Sequence, residues 1–313
     1  MAQATREAFG EAITDLGEKT PELVVLDADL SKSTMTQAFA KKFPERHFEL
    51  GIAEQNMIGV GAGLALCGKI PVATSFACFL VGRLEPIRIA VAYNRTNVKL
   101  VGTHAGLAIG EDGTSQMGLE DLGALRSLPN IVILQPGDAL ETKQAVAWMI
   151  QHDGPVYIRL TRQKVEDCHA PSYRFEPGRV DVVWEPAAKP SHYQATIFAS
   201  GGTVGPAIAA AKDLEKRGFA SRVANVGTIK PFDEDAAVRF SKDSSRFVSV
   251  EDHNVFGGLD SALCEAVAQK GLSIPVVLLG AHAFGESGKP DELYEKYGIS
   301  APHIVEACLK NLN

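Results

Sequence analysis

The stretch FELGIAEQNMIGVGAGLALCGKIPVATSFACF, residues 48–79, holds a reactive group in an unusual setting. Between Leu50 and Gly68 the one charged residue is Glu54. A lone carboxylate among small and apolar residues is costly unless it is partnered. Two readings are open. At the head of a helix, backbone N–H groups and the helix dipole could satisfy it. As a buried acid it could have a tuned proton affinity and trade a proton with a bound heterocycle. Phe76 and Phe79 would suit a ring-stacking wall, or they belong to the core.

The segment THAGLAIGEDGTSQMGLEDL, residues 103–122, gathers His104, Glu111, Asp112, Ser115 and Gln116. It is rich in glycine and has no apolar periodicity at its centre, which marks a functional loop. Arg162, in RLTRQ, falls at a strand end. It is either solvated or an anion clamp. The string GVGAGL, Gly59–Leu64, is not a dinucleotide fingerprint. It lies inside the helix after Glu54 rather than in a strand-to-helix turn, and close helix packing accounts for its small residues.

These residues need a scaffold, and the pattern supplies one. The β-rich apolar runs ELVVLDADL, KIPVATSF, NVKLVGTHAG, NIVILQPGD and GPVYIRLTR alternate with helical patterns such as AEQNMIGVGAGLAL, VGRLEPIRIAVAYN and ALETKQAVAWMIQ. This predicts an α/β fold with a doubly wound, mainly parallel sheet over residues 1–165. A proline-bearing stretch of weak periodicity, 166–194, reads as a linker. From 195 to 313 the alternation resumes as a second, smaller α/β domain. Asp29, Phe76, His104 and Arg162 all follow strands. Ligands of open parallel sheets bind beyond the carboxyl ends of the strands, so these residues point to one shared site.

Composition excludes several classes. The 313 residues carry a net charge of −7 without a basic run, which argues against a nucleic-acid partner. No apolar run is long enough to span a membrane. Five dispersed cysteines without a CxxC fit a reducing cytoplasm. The eight histidines show no metal-ligand spacing.

GIAEQNM, TSFACF, GTHAGLAIGEDGTSQ, RSLPNIVILQPGD and GPVYIRLTRQ, in this order and spacing, resemble the C-terminal half of transketolase, its pyrimidine-binding and C-terminal domains. ATREAFGEAI and DADLSKST fit the opening of that half. The resemblance implies thiamine diphosphate as cofactor. Glu54 would hydrogen-bond N1′ of its aminopyrimidine, so that the ring's amino group can act as base at the thiazolium C2. Phe79 would stack on the pyrimidine, with Phe76 beside it and Asp29 an acid near the cofactor. Arg6, Ser33, His104 and Arg162 fall where the family holds a sugar phosphate, and Asp112 where it contacts a sugar hydroxyl. Of these, Glu54 and His104 are the expected catalytic groups. The implied reaction moves a two-carbon ketol unit from a ketose phosphate to an aldose phosphate.

The match has gaps. Gln116 stands where the family usually has a substrate-contacting histidine, and Gly82 where it often has a tyrosine. The diphosphate and Mg²⁺ or Ca²⁺ are held in the family by another domain with a GDG motif. Here the one Gly-Asp, in PGDA, lacks the second glycine, so no metal ligand is expected in this chain. The resemblance therefore implies the small subunit of a split enzyme, with an N-terminal partner chain in an α2β2 assembly. The matching half of a deoxyxylulose phosphate synthase or of a 2-oxo acid dehydrogenase is an alternative, as is a silent scaffold subunit. VEDHNVFGGL in the second domain is assigned to subunit contacts.

Overall fold

The computed structural model describes residues 2–310. Strand β1 (Gln3–Ala4) leads directly into the helix Thr5–Lys19. Five strands follow between helices: β2 (Leu23–Asp27), β3 (His47–Glu49), β4 (Ile70–Phe76), β5 (Lys99–Thr103) and β6 (Val132–Leu134). β7 (Val156–Arg159) completes the parallel set. β8 (Lys164–Val165) returns to pair antiparallel with β1. In the second half lie β9 (Asp181–Trp184), β10 (Ala195–Ala199), β11 (Ser221–Asn225), β12 (Thr228–Lys230), β13 (Phe247–Asn254) and β14 (Val276–Ala281).

The first sheet runs β12-β6-β7-β5-β4-β2-β3, parallel except at β12. Every residue of β2, β5 and β7 is buried. Strands covered on both faces read as near-continuous apolar runs rather than alternating ones, which is why LVVL in β2 and VYI in β7 stand out. The second sheet runs β14-β13-β10-β11-β9, with β9 antiparallel at one edge. This is the expected mainly parallel, two-part α/β architecture.

Three features depart from the sequence reading. The segment 166–194 is not wholly a linker, because β9 lies within it and pairs with β11. The domains also exchange material, since β12 from the second half extends the first sheet through β6. Neither strand is long enough to announce itself in sequence. The segment VGRLEPIRIAVAYN is less regular than an α-helix. It holds one short turn, Leu84–Pro86, and then a π-wound stretch, Ile87–Tyr93.

The helix after Glu54 (Glu54–Leu66) is apolar nearly throughout but only half buried. Glu54, Met57, Ile58, Gly61 and Ala62 face inward. Ile52 just before it and Leu66 at its end are 83% and 77% exposed. Gly59 and Gly63 have open space where a Cβ would stand. Apolar composition reports that a face is to be covered, not whether its own chain covers it.

A buried ion pair within the first domain also reaches the second. Arg159, at the end of β7, donates from Nε to Asp121 Oδ2 (2.9 Å) and from Nη2 to Asp121 Oδ1 (3.1 Å). The same Nη2 reaches the carbonyls of Gly118 (2.7 Å) and Asp252 (3.0 Å), the latter in the second domain. Tyr157 Oη donates to Asp121 as well (2.6 Å). Burial works against both charges, yet the guanidinium holds Asp121 below the usual carboxylate range. Removing one partner of such a pair strands the other charge. Arg159→Met should therefore lower the unfolding free energy by about 3–5 kcal/mol. The double variant Arg159→Met, Asp121→Leu should recover part of that loss in denaturant titrations. A single variant with unchanged midpoint would show that the pair does not hold the domains.

Candidate active site

The parallel strands bring their carboxyl ends to one edge of the first sheet. β4 ends at Phe76 and β5 at Thr103, next to it in the sheet. His104 follows β5 directly. Arg6 and Arg162 are far apart in sequence, and the β1–β8 ladder draws their segments together. Thr161 N donates to Thr5 Oγ1 (2.7 Å), which fixes that junction beside both arginines.

Glu54 opens its helix and is 4% exposed. Ser75 Oγ donates to its Oε1 (3.1 Å) from β4. A carboxylate at a helix N-terminus is favoured by the dipole, and this one also borders a cleft of about 500 Å³ lined by Ile52, Gln55, Asn56 and Arg83 among others. So it is neither a capped surface residue nor a sealed core residue: a ring placed in the cleft can reach it. The Phe76 and Phe79 rings lie 5.4 Å apart at 10°, and Phe76 stacks on the His104 ring at 3.8 Å and 24°. The three rings form one layered aromatic surface.

His104 sits in a left-handed backbone conformation (φ 56°), uncommon for a residue with a side chain. Its Nε2 lies 2.9 Å from Arg6 Nη1 and its Nδ1 2.9 Å from Thr103 Oγ1. Guanidinium can only donate. Nε2 must therefore accept, Nδ1–H donates to Thr103, and the Thr103 hydroxyl donates to the Ser75 carbonyl (3.4 Å). Burial, then the charges of Arg6 and Arg162, push the imidazole down to about 3. His104 is thus a neutral ring that orients Arg6, not an imidazolium ready to donate a proton.

Arg6 Nη1 also donates to the Ser33 carbonyl (2.7 Å), while its Nε is buried without a partner among the described residues. Ser33 thus meets Arg6 through its backbone rather than its hydroxyl. Arg162 Nη1 donates to the Ile109 carbonyl and to Asp112 Oδ2, each at 2.8 Å. The expected sugar-hydroxyl acid and the expected anion clamp are thus ion-paired across a half-exposed gap. Gln116 lies in a short 3-10 turn, and its carbonyl accepts from Cys78 Sγ (3.2 Å).

Asp29 is exposed and left-handed (φ 62°), and its N–H donates to Glu49 Oε1 (2.6 Å). The buried acid of this turn is Asp27, which the sequence reading passed over. Asp27 accepts from Leu30 N (2.7 Å) and from the hydroxyls of Thr34 (2.7 Å), Thr36 (2.9 Å) and Thr74 (3.0 Å). Burial raises its carboxyl above the usual range despite these donors. The bonds pin the turn that carries Ser33 to β4. The cue was the run DADLSKSTMT, residues 27–36, where two threonines follow an acid at a strand end.

Among the described residues, Asp138, Cys168 and His169 are the one group close enough together to ligate a metal. They lie at the domain junction, away from Glu54. Asp138 Oδ2 is already occupied there by the N–H groups of Cys168 and His169 and by His169 Nδ1, each at 2.9 Å. The cluster fits a structural tie better than a cation site.

The imidazole state is measurable. The ring carbons of His104, followed by NMR on histidine-labelled protein, should not titrate between pH 8 and 4. Lowering the pH should protonate it only near 3. Arg6→Met removes one of the two opposing charges, so the midpoint should move up. A wild-type midpoint near the ordinary histidine value of about 6.5 would show that Arg6 does not face the ring.

Comparison with known proteins shows the family. The transketolase pyrimidine-binding domain model matches residues 1–167 and the transketolase C-terminal domain model residues 188–304. A putative transketolase C-terminal section of Methanocaldococcus jannaschii is 42% identical over 311 residues, 98% of this chain and 96% of that one. Transketolase-like protein 2 of Mus musculus is 38% identical over 97% of this chain, which spans 48% of the mouse protein, about half its length. Among solved structures, a split gene transketolase described as an inactive beta4 tetramer superposes with a TM-score of 0.89 at 44% identity, over 99% of this chain and 98% of that one. With both domain models matched in order and the aromatic layer and buried glutamate at the sheet's carboxyl edge, this chain belongs to the transketolase family, as its pyrimidine-binding and C-terminal domains.

Proposed function

We propose that this chain is one subunit of a two-chain, thiamine-diphosphate-dependent transketolase that moves a two-carbon ketol unit between sugars. The observation that carries the reading is Glu54: a buried carboxylate, held by Ser75, at the mouth of a cleft. The residues present fit the aminopyrimidine of the cofactor. Glu54 would hold a proton at N1′, and Phe79, backed by Phe76, would face the ring. Thiamine diphosphate, when bound, supplies the carbanion chemistry and takes up the electrons of the intermediate. The chain's own residues bind, orient and exclude water.

Arg6 and Arg162 would hold the substrate's phosphate. The buried, unpartnered Nε of Arg6 supports this, because a donor left without a partner is costly unless an acceptor arrives. Arg162 would turn from Asp112 towards the phosphate, leaving Asp112 to accept from a sugar hydroxyl. Asp29, exposed on its turn, would lie near the cofactor. Gln116 would stand at the sugar, offering an amide where the family usually offers an imidazole.

The diphosphate and its Mg²⁺ or Ca²⁺ would be held by an N-terminal partner chain carrying a GDG motif, in an α2β2 assembly. The uncovered apolar face beside Glu54, with Ile52, Leu66 and Tyr93 more than three-quarters exposed, supports such a partner. The related split-gene chain described as an inactive tetramer supports the same division of labour.

Reconstitution tests this reading. The chain alone should show no ketol transfer, and addition of the partner with cofactor and Mg²⁺ should restore it. In the complex, Glu54→Gln should slow H/D exchange at the cofactor C2 by about 10²–10⁴-fold, the usual cost of losing an acid–base group. Full activity of the lone chain, or unchanged exchange in the variant, would overturn the proposal.

Arg162→Ala separates phosphate reading from folding. A charged hydrogen bond contributes roughly 1.5–3 kcal/mol, or about 10–150-fold at 1.4 kcal/mol per decade. KM for phosphorylated donors should rise within that range and change little for hydroxypyruvate, which has no phosphate. Equal losses with both donors would assign Arg162 to structure.

A further inference from the structure

The second domain is so far without a part in the chemistry, yet one of its carboxylates reaches the loop that carries the site. Asp252, on β13, is 2% exposed. Its Oδ1 accepts from Leu107 N (2.7 Å) and its Oδ2 from Ala108 N (3.2 Å). Oδ2 also accepts from Tyr294 Oη (3.0 Å), which in turn accepts from Gln163 Nε2 (2.8 Å). Leu107 and Ala108 lie between His104 and Asp112, and the next carbonyl, that of Ile109, holds Arg162. The residue after Arg162 is thus tied to the same carboxylate as the loop. Further along, Ser287 Oγ donates to the Glu111 carbonyl (2.7 Å) and Thr114 Oγ1 to that of Gly285.

Gly106 shows how closely the two parts meet. It is left-handed (φ 83°), and a Cβ there would stand 2.2 Å from Asp252 Oδ2. Both the backbone conformation and the contact call for glycine at this position. A buried carboxylate that accepts two successive backbone N–H groups fixes their direction as well as their position.

We infer that Asp252 is a positioning residue for ketol transfer: from the second domain it holds the loop that sets His104, Asp112 and Arg162 about the substrate. This rests on the function proposed above, but its first readout does not. In Asp252→Asn the amide offers one acceptor and one donor where two N–H groups and a hydroxyl donate. At least one bond is lost, and a donor then faces a donor.

Amide hydrogen exchange in the chain itself is the first measurement. In Asp252→Asn, peptides spanning residues 105–112 should exchange about 10–100-fold faster, the loss of one charge-assisted bond. Peptides of the helix Glu54–Leu66 should keep wild-type rates. Tyr294→Phe retains both loop bonds and should leave the loop near wild type. Gly106→Ala disturbs the same contact from the loop's side and should reproduce the asparagine variant, so the inference stays open to refutation if Asp252→Asn fails to fold. In the reconstituted enzyme, Asp252→Asn should raise KM for both phosphorylated donors and hydroxypyruvate while H/D exchange at the cofactor C2 stays unchanged.

Unchanged loop exchange in both Asp252→Asn and Gly106→Ala would overturn the inference. So would a rise spread evenly over all peptides, or C2 exchange falling together with substrate affinity. Absence of C2 exchange in the wild-type complex would instead sink the proposed function, while the loop measurement would still stand or fall by itself.

Discussion

The whole arrangement depends on one buried guanidinium. Arg159 sits where β7 leaves the first sheet, and its acceptors come from three places: the Asp121 carboxylate, the Gly118 carbonyl and the Asp252 carbonyl. The first two bound the return of the Gly-rich loop, and the third lies near the C-terminal end of β13 in the second sheet. Placing a charge there is costly in itself. Once present, it demands acceptors in set directions, and this demand fixes the angle at which the second domain meets the loop. Asp252 then serves twice, its carbonyl holding the guanidinium and its carboxylate holding the loop. Positioning of the site is thus inherited from the domain junction.

What was legible in the sequence follows from which contacts are local. Strands covered on both faces carry apolar runs, so the ends of those runs stand out. This is how Phe76, His104 and Arg162 could be placed at one sheet edge. Glu54 stood out for the same reason, a single charge in an apolar stretch. Asp252 gave no such signal, because its partner Leu107 is 145 residues away. Arg159 was hidden too, three residues before the more conspicuous Arg162. Asp27 and Asp29 illustrate a finer limit. Two acids stand two positions apart at a strand end, and only the fold shows that the first is buried under three threonine hydroxyls while the second is exposed. The helix after Glu54 shows a further limit: its composition is apolar, yet Ile52 before it and Leu66 at its end are not covered by the described residues.

The site has the character of a half. The aromatic layer and the buried glutamate are already in place, with the imidazole of His104 held between Arg6 and Thr103. The cleft beside Glu54 is walled on one side by a helix on which a Cβ added at Gly59 or Gly63 would meet no atom of the described residues. Glycines at such positions allow another backbone to approach closely. Preorganisation on this side would lower the ordering cost for whatever binds against it.

The strand β12 carries a consequence for how such a protein can change over generations. It is encoded in the second half and completes the first sheet beyond β6. A recombination event that exchanged the C-terminal domain for a foreign one would strip that edge and bare the hydrogen-bonding groups of β6, a template for mispairing. The two domains are therefore heritable only as a block. Modular reshuffling, common where linkers are free of structure, is closed to this chain at its own domain boundary.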